Sequence, residues 1–175
     1  AIEIDKIHSV IDIGTGAGFP GIPLKIAFPH LNITLLDSLN KRIRFLDTVI
    51  DRTGLKDIRT IHGRAEDYAK QKEYREMYDL CVSRAVANLS TLSEYCIPYI
   101  RIGGIFISYK SGDVESEKED SRNAASLLGG RIKDTVKFQL PGTDIGRSFV
   151  IIEKERQTAK RYPRKAGLPS KEPLK

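Results

Sequence analysis

The run Val10-Ile11-Asp12-Ile13 leads without a break into Gly14-Thr15-Gly16-Ala17-Gly18-Phe19-Pro20-Gly21, which places four glycines in eight residues. An apolar run that ends in such a turn reads as a buried strand feeding a tight loop. Glycine tolerates positive φ and has no Cβ, so the turn offers main chain rather than side chains to whatever lies against it.

A flat, adenosine-like ligand suits that surface. Gly16 to Gly21 also satisfies the dinucleotide pattern G-x-G-x-x-G, whose chemistry needs free backbone N–H groups at a helix start to hold a pyrophosphate. Pro20 and Pro23 remove two donors, however, and Asp12 sets a negative charge just before the turn. Both features disfavour a diphosphate. They are compatible with a ligand that has no phosphate and a positive centre, as the sulfonium of S-adenosylmethionine does.

Beyond the loop, strand and helix signals alternate. A short helix from about Ile22 to Phe28 has Pro23 in its first turn and Pro29 stopping it. Ile33 to Asp37 is a second strand, and Asn40 is a candidate cap for a helix with Ile43, Leu46, Val49 and Ile50 on one face and Gly54 past its end. Ile58 to His62 is a third strand, after which Arg64 to Asp67 opens a polar stretch read as a short surface helix. A strand from Tyr78 to Ser83, a helix from Leu89 to Tyr99, and a strand from Ile105 to Tyr109 entered by Gly103-Gly104 continue the pattern. A charged helix from Val114 to Leu128 precedes two strand runs, Ile132 to Leu140 and Ser148 to Ile152, joined by a loop alone. This order predicts an α/β fold: a mostly parallel sheet with helices on both faces and an antiparallel hairpin at one edge.

With 175 residues, one domain is expected. No apolar run approaches the ~20 residues that span a bilayer, and no secretory h-region opens the chain, so the expected location is the cytoplasm. Cys81 and Cys96 stand apart without a CxxC, and the histidines are His8, His30 and His62, so neither a disulfide nor a metal site is indicated. The net charge of +6 is concentrated at one end: from Lys154 to Lys175 eight basic residues face two acidic ones. With Pro163, Pro169 and Pro173 in it, this segment reads as an extended basic arm, residues 154–175, following a domain of residues 1–153. Lys160, Arg161, Arg164 and Lys165 suit phosphates, and Tyr162 among them suits stacking on a base; a solubilising tail is the plainer reading.

In an open parallel sheet, ligands bind beyond the carboxyl ends of the strands, where strand order reverses. The residues to examine are therefore Gly14, Gly16, Gly18 and Phe19 after the first strand, Asp37 after the second, Arg64-Ala65-Glu66 after the third, Arg84 after the fourth and Lys110 after the fifth. Asp37 lies about 20 residues past the glycine turn, where a carboxylate can accept hydrogen bonds from ribose hydroxyls.

The stretch from Asp12 to Leu24 (DIGTGAGFPGIPL), Leu36-Asp37-Ser38 with Lys41-Arg42 and Phe45-Leu46, Arg64-Ala65-Glu66, Ser83-Arg84-Ala85, and Arg161-Tyr162-Pro163-Arg164-Lys165-Ala166-Gly167 together resemble the bacterial RsmG (GidB) family, over nearly the whole chain. The resemblance implies a class I S-adenosylmethionine-dependent methyltransferase fold and methylation of guanine N7 in small-subunit (16S) ribosomal RNA. It also implies a monomer acting on that RNA within the ribosomal subunit or an assembly intermediate. Members carry an N-terminal helical segment, which a chain with about nine residues before its first strand is expected to lack. The resemblance places the methyl donor against Asp12, Gly14, Gly16, Gly18 and Phe19, its ribose at Asp37, and its adenine along Arg64, Ala65 and Glu66, with Arg84 bordering it.

Guanine N7 has a free lone pair and no proton to lose, so no general base is expected. Its Hoogsteen edge offers the acceptors N7 and O6, which suit cationic donors. Arg84 is assigned to O6 or a neighbouring phosphate, with Lys110 and Arg147 as further phosphate or base contacts. Two other classes share parts of the pattern: an NAD(P)-binding Rossmann oxidoreductase and a catalytically silent RNA-binding module.

Overall fold

The structure, a computed structural model, describes residues 2–84, 87–112 and 114–175. Its strands are β1 Ser9–Ile13, β2 Asn32–Asp37, β3 Ile58–His62, β4 Tyr78–Arg84, β5 Ile100–Ser111, β6 Gly130–Gln139 and β7 Gly146–Lys154. They form one sheet in the order β3-β2-β1-β4-β5-β7-β6. The first five run parallel, and β7 is antiparallel to both β5 and β6. The chain winds outward from β1 to β3 and then returns to β4 on the other side of β1, so the strand order reverses between β1 and β4.

Helices α1 Gly21–Ala27, α2 Asn40–Thr53, α3 Ala65–Tyr68, α4 Leu89–Cys96, α5 Glu115–Asp120, α6 Arg122–Leu127 and α7 Leu168–Lys171 complete the fold. Alternation along the central strands sorts apolar residues to two cores. Val10, Leu80, Val82 and Ile107 share one with Ile22 of α1 and Ile43 and Leu46 of α2. Ile11, Ile13, Leu36 and Cys81 share the other with Leu89, Leu92 and Cys96 of α4 and Ala125 of α6. Gly54 closes α2 in the left-handed region, φ 66°. No helix among the described residues is long and apolar enough to cross a membrane.

Several local expectations are corrected. Asn40 is the first residue of α2 rather than its cap; Leu39 occupies the cap, and its N–H donates to Asp37 Oδ1 at 2.9 Å. β5 begins at Ile100 and carries Gly103-Gly104 inside it, where a Cβ on Gly104 would lie 2.9 Å from the Asp79 carbonyl oxygen. α4 ends at Cys96, and Ile97–Tyr99 is a 3-10 turn around Pro98. The charged helix is two helices parted at buried Ser121, whose hydroxyl donates to the Glu117 carbonyl at 2.7 Å and competes with the helical ladder there. α3 is a single turn with Glu66 buried, so it is not a surface helix.

The largest correction concerns the tail. Residues after β7 do not extend as an arm; they fold back across α4. Lys154 is buried, its Nζ 2.9 Å from both Glu76 Oε1 and the Ile97 carbonyl oxygen and 2.7 Å from Thr158 Oγ1. Arg75 holds the next stretch by donating to the carbonyls of Thr158 at 2.7 Å and Tyr162 at 2.9 Å. Tyr162, only 6% exposed, belongs to the core and is not placed to stack on a base. Arg164 makes a two-pronged bond to Glu94 of α4, Nη2 to Oε2 at 2.7 Å and Nε to Oε1 at 3.0 Å, so it is not a phosphate contact. Thr91 donates to the Pro169 carbonyl at 3.0 Å, and Ser90 donates to that of Leu174. The residues expected at nucleic acid that remain exposed are Lys160, Arg161 and Lys165.

Candidate active site

The glycine loop is shaped from behind by Asp12. This buried carboxylate accepts from Thr15 Oγ1 at 2.7 Å and from the Gly21 N–H at 2.9 Å, and its other oxygen has no partner among the described residues. Burial pushes its pKa up to about 6, against the lowering effect of those bonds and of Arg84. Gly21 lets α1 press close on the sheet, because a Cβ there would stand 2.3 Å from Leu35 Cδ2 and 3.0 Å from Asp12 Oδ2. Gly18, at φ 92°, packs on Ile22 and Leu46. Asp12 and Gly18 therefore set the loop's path and do not line the cavity in front of it, contrary to their expected contact with a ligand.

That cavity, about 1130 Å³, opens beyond the carboxyl ends of β1 to β5. It brings together Gly14, Gly16, Phe19, Asp37, Arg64, Ala65, Glu66, Arg84, Lys110 and Arg147, as the strand-end argument requires. Gly16, at φ 62°, has no atom within 4 Å of where a Cβ would sit, so its main chain borders open space. Most N–H groups of the loop are nevertheless already bonded, and only that of Ala17, at the cavity, has no acceptor among the described residues. The N–H groups of Gly14 and Thr15 donate to the Leu36 carbonyl, those of Gly18 and Phe19 to the Thr15 carbonyl, that of Gly16 to Asp37 and that of Gly21 to Asp12; Pro20 has none. A diphosphate would find these donors occupied.

Asp37, almost fully buried at the end of β2, also accepts from the Leu39 N–H at 2.9 Å and Arg42 Nη1 at 3.2 Å. A carboxylate has about four lone-pair sites, so Oδ1, which serves Leu39 alone, keeps capacity for a hydroxyl. Along the next wall, the buried Tyr99 hydroxyl donates to the Ala65 carbonyl at 2.7 Å, and Glu66 Oε1 accepts from the Gly167 N–H at 2.8 Å. The tail thus secures one carboxylate of the site, and Ser170 reaches the cavity itself.

The opposite wall is cationic and aromatic. The Arg84 guanidinium lies 5.5 Å from the Phe19 ring centroid; Ala85, next to it in the sequence motif, falls outside the described residues. Lys110 lines the cavity with its Nζ bound to Glu117 Oε1 at 2.6 Å and the Ala87 carbonyl at 2.9 Å, so its charge is already paired and one of its three N–H donors is left over. Burial, with Asp12 nearby, pushes the Tyr109 hydroxyl above the ordinary phenol range, so it stays protonated. Sequence reasoning missed Arg42, Tyr95, Tyr109, Phe138 and Phe149. A cation in the first turn after a strand-end carboxylate could have pointed to Arg42; nothing local marks the aromatics.

These features fit S-adenosylmethionine: a hollow against bare main chain, a strand-end carboxylate at Asp37 with spare acceptor capacity, a wall at Ala65 and Glu66, and a glycine loop most of whose N–H groups are already bonded. Residues 1–145 match the family rRNA small subunit methyltransferase G, GidB. The chain is 54% identical over 170 residues to ribosomal RNA small subunit methyltransferase G of Acetivibrio thermocellus, covering 97% of this chain and 70% of that one. It is 50% identical over 175 residues to the protein of the same name from Clostridium perfringens, covering 100% and 73%. Among solved structures, a putative methyltransferase from Thermoplasma acidophilum aligns with TM-score 0.67 at 13% identity over 89% of this chain and 73% of that one. TYW2 of P. horikoshii, solved in complex with MeSAdo, aligns with TM-score 0.65 at 10% identity, covering 83% and 56%. At those identities the likeness is one of fold. The sequence match is stronger: it begins before β1, carries the glycine loop and every strand end of the cavity, and runs to the turn before β7, so the chain belongs to the rRNA small subunit methyltransferase G (GidB) family.

Proposed function

We propose that the protein methylates N7 of a guanine in small-subunit ribosomal RNA, using S-adenosylmethionine as donor. The observation that carries this reading is the glycine loop most of whose N–H groups, those of Gly14, Thr15, Gly16, Gly18, Phe19 and Gly21, are already bonded within the chain, in a chain of this family. Nothing comparable favours a nicotinamide dinucleotide or a silent binding module. When bound, S-adenosylmethionine supplies a methyl carbon on a sulfonium, ready for in-line attack.

The chain's own task is then to align and enclose. Gly14 and Gly16 offer main chain, Asp37 takes the ribose, and Ala65 and Glu66 read the adenine edge, with Arg64 beside them. Holding two reactants in line and excluding water lowers a barrier by roughly 7–11 kcal/mol at best. N7 has no proton to lose, so no side chain acts as a base. Arg84 contacts O6 or a neighbouring phosphate, and Arg147 a further one. Lys160, Arg161 and Lys165 meet the RNA backbone, within the subunit or an assembly intermediate, in the cytoplasm.

Incubating the protein with unmodified small ribosomal subunits and labelled methyl donor, followed by nucleoside analysis, tests the proposal. Label in 7-methylguanosine is the expected result, and label in any other nucleoside overturns it. Arg84→Ala is expected to lose transfer on the order of 10²-fold with donor affinity kept; turnover at the unaltered rate removes Arg84 from the reaction.

A further inference from the structure

The cavity is larger than one nucleoside needs, and its two sides differ in kind. The side away from Asp37 and Glu66 is built by Tyr109 of β5, Phe138 of β6 and Phe149 of β7. Phe149 sits at the centre: its ring centroid is 4.6 Å from that of Tyr109 at an interplanar angle of 62°, and 4.7 Å from that of Phe138 at 49°. Tyr109 pairs directly with Phe149 across the strands, and Phe138 with Arg147. All three rings are only half-buried and face the cavity from hydrogen-bonded strands. Three rings meeting water on one wall forgo burial that a polar residue would not need, and strands hold them more rigidly than a loop would.

Resting on the methyltransferase reading, we infer that Phe149, supported by Tyr109 and Phe138, is the platform on which the unpaired target purine stacks, with Arg147 at its rim. Base-on-aromatic stacking suits a nucleotide read from a loop or single strand. It leaves the base edge free for cationic donors, and Arg84 with Phe19 borders the same space.

The test uses Phe149→Leu, which keeps an apolar side chain, and Phe149→Tyr, which keeps the ring. Steady-state methylation of unmodified small subunits is compared with the dissociation constant for S-adenosylhomocysteine. Loss of stacking corresponds to about 5- to 150-fold, so Phe149→Leu is expected to raise KM by that factor with S-adenosylhomocysteine affinity within about twofold of the starting protein, and Phe149→Tyr to restore KM. If Phe149→Leu fails to fold, Phe138→Leu carries the same expectation. An unchanged KM, or an equal loss of S-adenosylhomocysteine affinity, overturns the platform; an unsubstituted protein that labels no guanine overturns the functional reading instead.

Discussion

Glu94 is 1% exposed, and its charge is met by the Arg164 side chain and backbone N–H, the latter at 2.7 Å. Arg164→Ala would leave that carboxylate buried with a single backbone donor. Removing one partner of a buried pair costs about 3–5 kcal/mol, against a total stability of about 5–15 kcal/mol. The molecule has one escape: the tail can undock and let water reach Glu94, which caps the loss at the free energy of docking. Urea denaturation and amide exchange across residues 158–174 distinguish the two routes. Either the midpoint falls by an amount worth several kcal/mol, or exchange in the tail rises while the sheet keeps its protection.

The undocked route reaches the site, because Gly167 then no longer donates to Glu66. Apparent affinity for S-adenosylhomocysteine falls in proportion to the docked fraction, tenfold for each ~1.4 kcal/mol beyond the docking balance. Glu94→Gln with Arg164→Ala removes the stranded charge, so the pair is expected to be more stable than Arg164→Ala alone. The reasoning is refuted if Arg164→Ala shifts stability by about 0.5 kcal/mol or less, as an exposed pair would, and leaves tail exchange unaltered.

Three other perturbations are similarly direct. Gly16→Ala places a Cβ in the hollow at φ 62°; about 1–2 kcal/mol of backbone strain should lower the melting temperature modestly, while calorimetry shows loss of S-adenosylhomocysteine binding. Replacing Lys160, Arg161 and Lys165 together with alanine is expected to flatten the slope of log affinity for RNA against log salt by about 2, at roughly 0.7 per lost single-strand phosphate contact; an unaltered slope leaves these residues as solubilisers. Asp12 is raised from 3.8 to about 6, so the folded protein takes up its proton first, and the stability this group confers is complete below pH 3.8 and lost as pH rises through about 6. At ~1.4 kcal/mol per pH unit the loss approaches about 3 kcal/mol, so Asp12→Asn should gain on the unsubstituted protein in urea melts at pH 8 relative to pH 4, and a constant difference across that range contradicts the assignment.

The parts legible in the sequence were those written locally. The strand-to-loop passage at Ile13-Gly14, the strand-end carboxylate Asp37 and the αL closure at Gly54 each depend on a few neighbouring residues, and each stands where periodicity and glycine chemistry put it. The tail was illegible for the opposite reason. Arg164 and Gly167 find their partners Glu94 and Glu66 at separations of 70 and 101 residues, so charge counted as free is in fact spent. One signal was available: α4 shows only small hydroxyls and Glu94 where a solvated face would carry lysines, and a helix like that expects cover. Tyr109, Phe138 and Phe149 were passed over because an aromatic residue in a strand looks the same whether it meets core or cavity.

How the site is charged bears on the chemistry it can perform. Among the described residues, the carboxylates that line the cavity are Asp37, Glu66 and Glu117, and each already accepts hydrogen bonds: Asp37 from Gly16 and Leu39, Glu66 from Gly167, Glu117 from Leu89 and Lys110. Each of these carboxylates is thus already committed to donors of the chain itself, and the Tyr109 hydroxyl is held protonated. Methylation of an exocyclic amine releases a proton, and an uncommitted acceptor beside the nitrogen helps it. Methylation at a ring nitrogen with a free lone pair asks only for position, which the main-chain hollow on one side and the aromatic wall with Arg84 and Arg147 on the other can supply.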